Sequence, residues 1–148
     1  MDEKTSLINK LAGRLPLSYT SIKKIKKNIL GSGYALSVAF VDKNKSREIN
    51  KKYRNVNTPT NVLSFPLHKN TGELVLCPKV IKKEAEKKKF GKNFEESLKF
   101  LVIHGMLHLK GLEHSSTMEK RERFYFQKHD KKYFSGNRFR VQNDKSRD

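Results

Sequence analysis

The chain has 148 residues, the size of one ordinary globular domain, and carries 33 Lys and Arg against 15 Asp and Glu, a formal net charge of +18. That excess makes a strongly basic surface and points to a polyanionic partner such as nucleic acid or an anionic membrane surface. The single cysteine, Cys77, excludes an intramolecular disulfide, and the longest stretches without Asp, Glu, Lys or Arg are 14 residues, too short and too polar to span a bilayer.

The opening Met1-Asp2-Glu3-Lys4-Thr5 lacks the apolar core of a signal peptide, so a cytoplasmic protein is expected, without membrane contact. Leu7, Leu11 and Leu15 recur at i, i+4 and i+8, which predicts a first helix closed by Pro16. A second helix is expected from about Ser21, with Ile22, Ile25 and Ile29 inward and Lys23, Lys24, Lys26 and Lys27 outward, ended by Gly31 and Gly33. Residues 1–30 thus read as helical. Tyr34 to Val41 has apolar residues on both faces, the pattern of a central strand. Asp42 to Tyr53 reads as a short helix, and Val62 to Phe65 as a strand stopped by Pro66. Asn70-Thr71-Gly72 signals a turn, followed by a strand over Glu73 to Cys77, antiparallel to the last. Pro78 opens a lysine-rich helix that runs to Phe90, with Gly91 as its stop. Asn93 with Glu96 caps the next helix, through Leu109, and Ser116 with Glu119 caps a last one, to about Phe134. The sum is an α+β domain over residues 1–134, a small central mixed sheet packed with helices, followed by a basic, disordered tail over 135–148.

Three of the five histidines fall in His104-Gly-Met-Leu-His108-Leu-Lys-Gly-Leu-Glu-His114. His104 and His108 are i and i+4, so they share a helix face and can reach one ion. Gly111 lets the chain turn and bring His114 to the same point. Three imidazoles and a water make a tetrahedral zinc site with one open position, the layout of a catalytic metal. Phe100 to Leu109 carries no formal charge in a chain where 32% of residues are charged, so this helix is expected to be buried, with the site at its end. Buried imidazoles need partners, because an unsatisfied one costs on the order of 1–3 kcal/mol. A shared metal satisfies two at once. The competing interpretation is a set of core histidines satisfied by backbone carbonyls. In HExxH zinc peptidases the residue after the first histidine is the general base. Here it is Gly105, which argues against a peptidase and leaves metal chemistry on a phosphoryl oxygen open.

The stretch His104 to His114 resembles the H-G-x-L-H-L-x-G-x-D-H signature of the bacterial YbeY endoribonuclease family of rRNA maturation factors. Tyr53-Arg54 and then Thr58-Pro59-Thr60-Asn61-Val62-Leu63-Ser64-Phe65-Pro66 resemble its second signature, and Gly72-Glu73-Leu74-Val75-Leu76 a third segment. The likeness covers Val38 to Tyr133 in order. It departs at Glu113 and Glu73, where the family has Asp, and in the helical reading of the N-terminus, where the family has a strand. The resemblance implies an α+β fold and one zinc ion held by His104, His108 and His114. It implies a metal-dependent, single-strand-preferring endoribonuclease acting in rRNA maturation and ribosome quality control, with Arg54 important for activity.

On that footing the expected partners are single-stranded RNA, the rRNA of the small subunit and ribosome-associated proteins, not DNA. Arg54 would stabilise the charge that develops at the phosphate, since its planar fork holds two oxygens. Its alternative is a surface arginine pairing with the last carbonyls of a helix. The nucleophile is water or the 2′-hydroxyl. Lys51 and Lys52 join Arg54 as RNA-binding candidates, and Glu113 is expected to hydrogen-bond beside the ligands. His68 and His129 read as ordinary surface residues, and Cys77 as a core thiol. The rival function is a non-catalytic RNA- or ribosome-binding protein whose zinc is structural; a metallopeptidase ranks below it.

Overall fold

A computed structural model describes residues 4–9, 11 and 15–129. Nine elements follow in order: β1 (Thr5–Asn9), α1 (Tyr19–Ile29), β2 (Ala35–Phe40), α2 (Lys43–Arg54), β3 (Val62–His68), β4 (Thr71–Leu76), α3 (Pro78–Glu86), α4 (Phe94–Leu109) and α5 (Ser116–Lys128). The four strands form one mixed sheet in the order β1-β2-β4-β3, with β2 parallel to both β1 and β4 and β3 antiparallel to β4. The α+β expectation holds.

Strand alternation divides the interior. Leu36, Val38 and Phe40 of β2 join Leu74 and Leu76 of β4 in the main core, beneath the apolar faces of α1 and α4. Ala39, Val41, Leu63 and Val75 point the other way and pack with Ile49 of α2 and Phe65. This two-faced burial is what the apolar run in β2 foretells. The central helix is α4, whose Leu98, Val102, Ile103 and Met106 have no exposed surface, and it packs on β3, β4, α1, α3 and α5.

Five local expectations need correction. Lys26, expected on the outer face of α1, is buried, with its Nζ turned to Ser32 O at 3.5 Å. The helical reading of the N-terminus fails at its start, because Thr5–Asn9 is the edge strand β1, in parallel register with Leu36–Phe40. Leu7, Leu11 and Leu15 all pack against the main core, Leu7 from the strand; residues 10 and 12–14 of the expected first helix lie outside the described residues. Pro66 does not stop β3, which is an edge strand and can lack a ladder donor there; the register shifts between Pro66 and His68 instead. α3 ends at Glu86 because Lys88 takes a left-handed conformation (φ 54°), with its amide donating to Ala85 O and that of Lys89 to Glu84 O. The cap of α5 is Ser115, whose Oγ accepts the Met118 amide at 3.2 Å. α5 is described to Lys128, and the expected continuation to Phe134 and the tail over 135–148 lie outside the described residues. Among the described residues no helix is long and apolar enough to cross a membrane.

Candidate functional site

The site is built on the second half of α4 and the turn that follows it. At the start of α4 Asn93 and Glu96 form the expected capping box, with Asn93 Oδ1 accepting the Glu96 amide at 2.9 Å and Glu96 Oε1 accepting the Asn93 amide at 3.1 Å. At its end the Leu112 amide donates to Leu107 O (3.0 Å) and the Gly111 amide to His108 O (2.9 Å). This closure needs Gly111 at φ +104°, and it reverses the chain so that His114 comes back over the last turn of the helix.

His104, His108 and His114 thereby converge, each offering one ring nitrogen, all within 4.8 Å of one another. The Nε2 atoms of His104 and His108 are 3.1 Å apart. Two nitrogens on one tetrahedral zinc are about 3.3 Å apart, as bonds of about 2.0–2.1 Å require. The donor set therefore fits a single ion. Glu122 of α5, itself buried, accepts from His104 Nδ1, which leaves the Nε2 lone pair of His104 directed at its neighbours. Burial, then the adjoining His104 and His114, holds His108 below the ordinary imidazole range, so its ring is neutral, the form that binds metal. Among the described residues no fourth His, Cys, Asp or Glu joins the group.

The three rings open into a cleft of about 860 Å³, which Arg54, Asn61, Lys89, Phe100 and Glu113 also line. Arg54 occupies the last turn of α2, which closes on Asn55 in the left-handed region (φ 60°). The loop beyond it is tied back to α2: Ser46 Oγ donates to Thr60 O and accepts the Thr60 amide, both at 2.9 Å, and Asn50 Nδ2 donates to Thr58 O at 2.8 Å. Arg54 is exposed, and among the described residues its guanidinium has no hydrogen-bond or ion-pair partner. It does not pair with the helix carbonyls, which receive the Asn55 and Val56 amides instead. Asn61 Nδ2 donates to Glu84 Oε1 (2.9 Å), and Glu84 Oε2 accepts from Lys89 Nζ (3.1 Å), so one carboxylate steadies two polar groups of the cleft wall.

Other candidates fall elsewhere. Glu113 is exposed on the rim, and the carboxylate bonded to one of the three histidines is Glu122. The signal for Glu122 is a charge on the apolar stripe Met118-Glu122-Tyr125, at i, i+4 and i+7. Lys51 is exposed, while Lys52 lines a separate groove with Glu73 and Leu67. His68 is exposed, but His129 is half-buried against Asn28 and pushed down to about 4 by burial and by Lys128, Lys99 and Lys24. Cys77 is a buried free thiol, with burial pushing its pKa up. Gly105 sits where α4 meets the sheet: a Cβ there would fall 2.7 Å from Leu74 Cδ2 and 3.2 Å from Ser64 Oγ. A side chain at this position forces its neighbours to shift, and the longer carboxylate side chain of a peptidase has no room.

Fold and site together define an α+β protein with a three-histidine centre of the metal-binding kind at the floor of an open cleft. The family model described as Endoribonuclease YbeY matches residues 6–134, and the chain belongs to that family. The Endoribonuclease YbeY of Staphylococcus carnosus is 38% identical over 105 residues, which are 63% of this chain and 67% of that protein. That of Cupriavidus metallidurans is 37% identical over 110 residues, 71% of this chain but only 55% of the relative. The solution structure of TM1509 from Thermotoga maritima superposes with a TM-score of 0.64 at 27% identity, covering 88% of this chain and 92% of that one.

Proposed function

We propose that the chain is a metal-dependent endoribonuclease that cuts single-stranded RNA, with zinc held by His104, His108 and His114. The observation that carries this reading is the shared cleft: three convergent imidazoles and an arginine free of protein partners among the described residues open onto the same space. Zinc in that position supplies Lewis-acid polarisation of a phosphoryl oxygen. Arg54 presents two donors to the phosphate and offsets the negative charge that grows during cleavage. Glu122 holds His104 in one tautomer and orientation. Lys89, steadied by Glu84, adds positive charge to the cleft wall, and Lys51 and Lys52 add to the basic surface of α2. The absence of a fourth protein donor among the described residues favours this reading over a closed structural zinc. The proposed setting is rRNA maturation and quality control of the small ribosomal subunit, in the cytoplasm, as the sequence resemblance implies. Within it, residues 1–134 act as one domain.

The test is cleavage of a labelled single-stranded RNA by the zinc-analysed protein beside H108A, R54A and a chelated sample. Cutting by the parent, lost on chelation and in H108A and reduced by about 10²-fold or more in R54A, is expected. Stoichiometric zinc and RNA binding with no cutting in any sample would instead establish the structural-zinc protein.

A further inference from the structure

Most rings near the cleft are committed to packing. Phe90 and Phe100 are partly buried against the main core and meet each other at 5.6 Å, and Phe65 packs with the smaller core on the other face. Tyr53 differs. It lines the same cleft as the histidines, yet 61% of it is exposed, more than any other large hydrophobic side chain described. Its ring is nonetheless held in place. Phe65 meets it at 5.2 Å between centroids with the planes inclined 62°, and Lys52 Nζ lies 5.3 Å from its centroid. The left-handed closure at Asn55 fixes the helical turn that carries it.

An exposed ring braced by a second ring has lost its rotational freedom before any ligand arrives, so docking onto it costs little further entropy. Arg54 is the next residue, on the same cleft and without a protein partner among the described residues. An aromatic surface beside a free cation matches a nucleotide, which pairs a flat base with a phosphate a few ångströms away. We propose that Tyr53 is a base-stacking residue: the nucleobase adjoining the phosphate bound by Arg54 stacks on its ring. The assignment rests on the nuclease reading of this cleft and supplies its preference for single strands. A base inside a duplex has both faces covered by its neighbours and has none to offer Tyr53, whereas an unpaired base does.

The test measures binding, not turnover. The whole chain, with zinc bound, is titrated against a single-stranded 2′-O-methyl oligoribonucleotide carrying 2-aminopurine, shown by gel to stay uncut, and followed by anisotropy and by quenching of the fluorescent base. Y53A is expected to bind about 5–100-fold more weakly and to lose the quenching. Y53F, which keeps the ring, binds within about twofold of the parent on the same scale. F124A removes an exposed ring that does not line the cleft and leaves affinity unchanged. Circular dichroism confirms that each variant is folded. Parent-like affinity and quenching in Y53A would overturn the stacking role alone. So would equal losses in Y53A and Y53F, which would trace the effect to the hydroxyl. A parent that binds no single-stranded RNA would overturn the nuclease reading as well.

Discussion

Replacing Glu122 by alanine isolates what a carboxylate outside the ligand set does for the histidine centre. Glu122 is 8% exposed, and it bonds His104 Nδ1, on a side chain 18% exposed and open to the cleft. Removing the carboxylate frees the ring of His104 to rotate and to exchange tautomers, so part of the population no longer presents Nε2 toward His108. Loss of such an outer partner lowers metal affinity by about 10–100-fold, equivalent to roughly 1.4–2.7 kcal/mol. The metal-free fold suffers less, because water entering the cleft can satisfy Nδ1, and a cost of about 1 kcal/mol is expected. E122Q keeps an acceptor at the same place and should lose less than about tenfold. Competition between the protein and a chromophoric chelator for zinc measures the first quantity, and urea unfolding of the metal-free protein the second. Zinc affinity within twofold of the parent in E122A, or an affinity loss fully matched by lost stability, would refute the positioning role.

Two more outcomes follow from packing and titration. G105A gains roughly 1 kcal/mol of helix propensity but drives a Cβ to 2.7 Å from Leu74 Cδ2, which has no exposed surface into which to move. Overpacking of about 1–3 kcal/mol should win, lowering the urea midpoint by the equivalent of ~1 kcal/mol; a higher midpoint would show slack between α4 and the sheet. His129 titrates at about 4 in the fold against about 6.5 in the unfolded chain, so the unfolded chain binds the extra proton between these values. Its contribution to stability is therefore complete above pH 6.5 and is lost as pH falls toward 4. H129Q should flatten that acid limb by on the order of 1 kcal/mol after solvent screening, measured as the difference in unfolding midpoint from the parent; parallel curves would show that His129 is not the group responsible.

How much of the fold and site is legible in the amino-acid sequence depends on the range of the interactions concerned. The histidine spacing, the Gly111 turn and the Asn93–Glu96 box are all set within a few residues, and all three reappear in the fold. β1 depends on pairing with Leu36–Phe40, some thirty residues away. Leucine spacing cannot reveal such a partner, and Leu7 serves the core equally well from a strand. Glu122 holds the place expected of Glu113 for a similar reason. Proximity in sequence favoured Glu113, one residue before a ligand, but the chain reversal that delivers His114 turns Glu113 outward to the rim. Glu122, eighteen residues after His104, arrives through the packing of α5 on α4.

Gly105 joins the two scales. Taken by itself, it is an absence, the missing base of a peptidase. In the fold it is the position at which α4 rests on Leu74, Val62 and Ser64, whose hydroxyl donates to the Gly105 carbonyl at 3.1 Å. The helix can therefore lie close against the sheet only with no side chain there. That close seat keeps the adjacent histidines at the cleft floor, and the polar chemistry of the site must then come from other elements: Glu122 from α5, Arg54 from α2 and Lys89 from the turn after α3. A peptidase-type carboxylate is excluded here by packing before any question of substrate arises, and Arg54 and Lys89 give the cleft wall cationic groups in its stead.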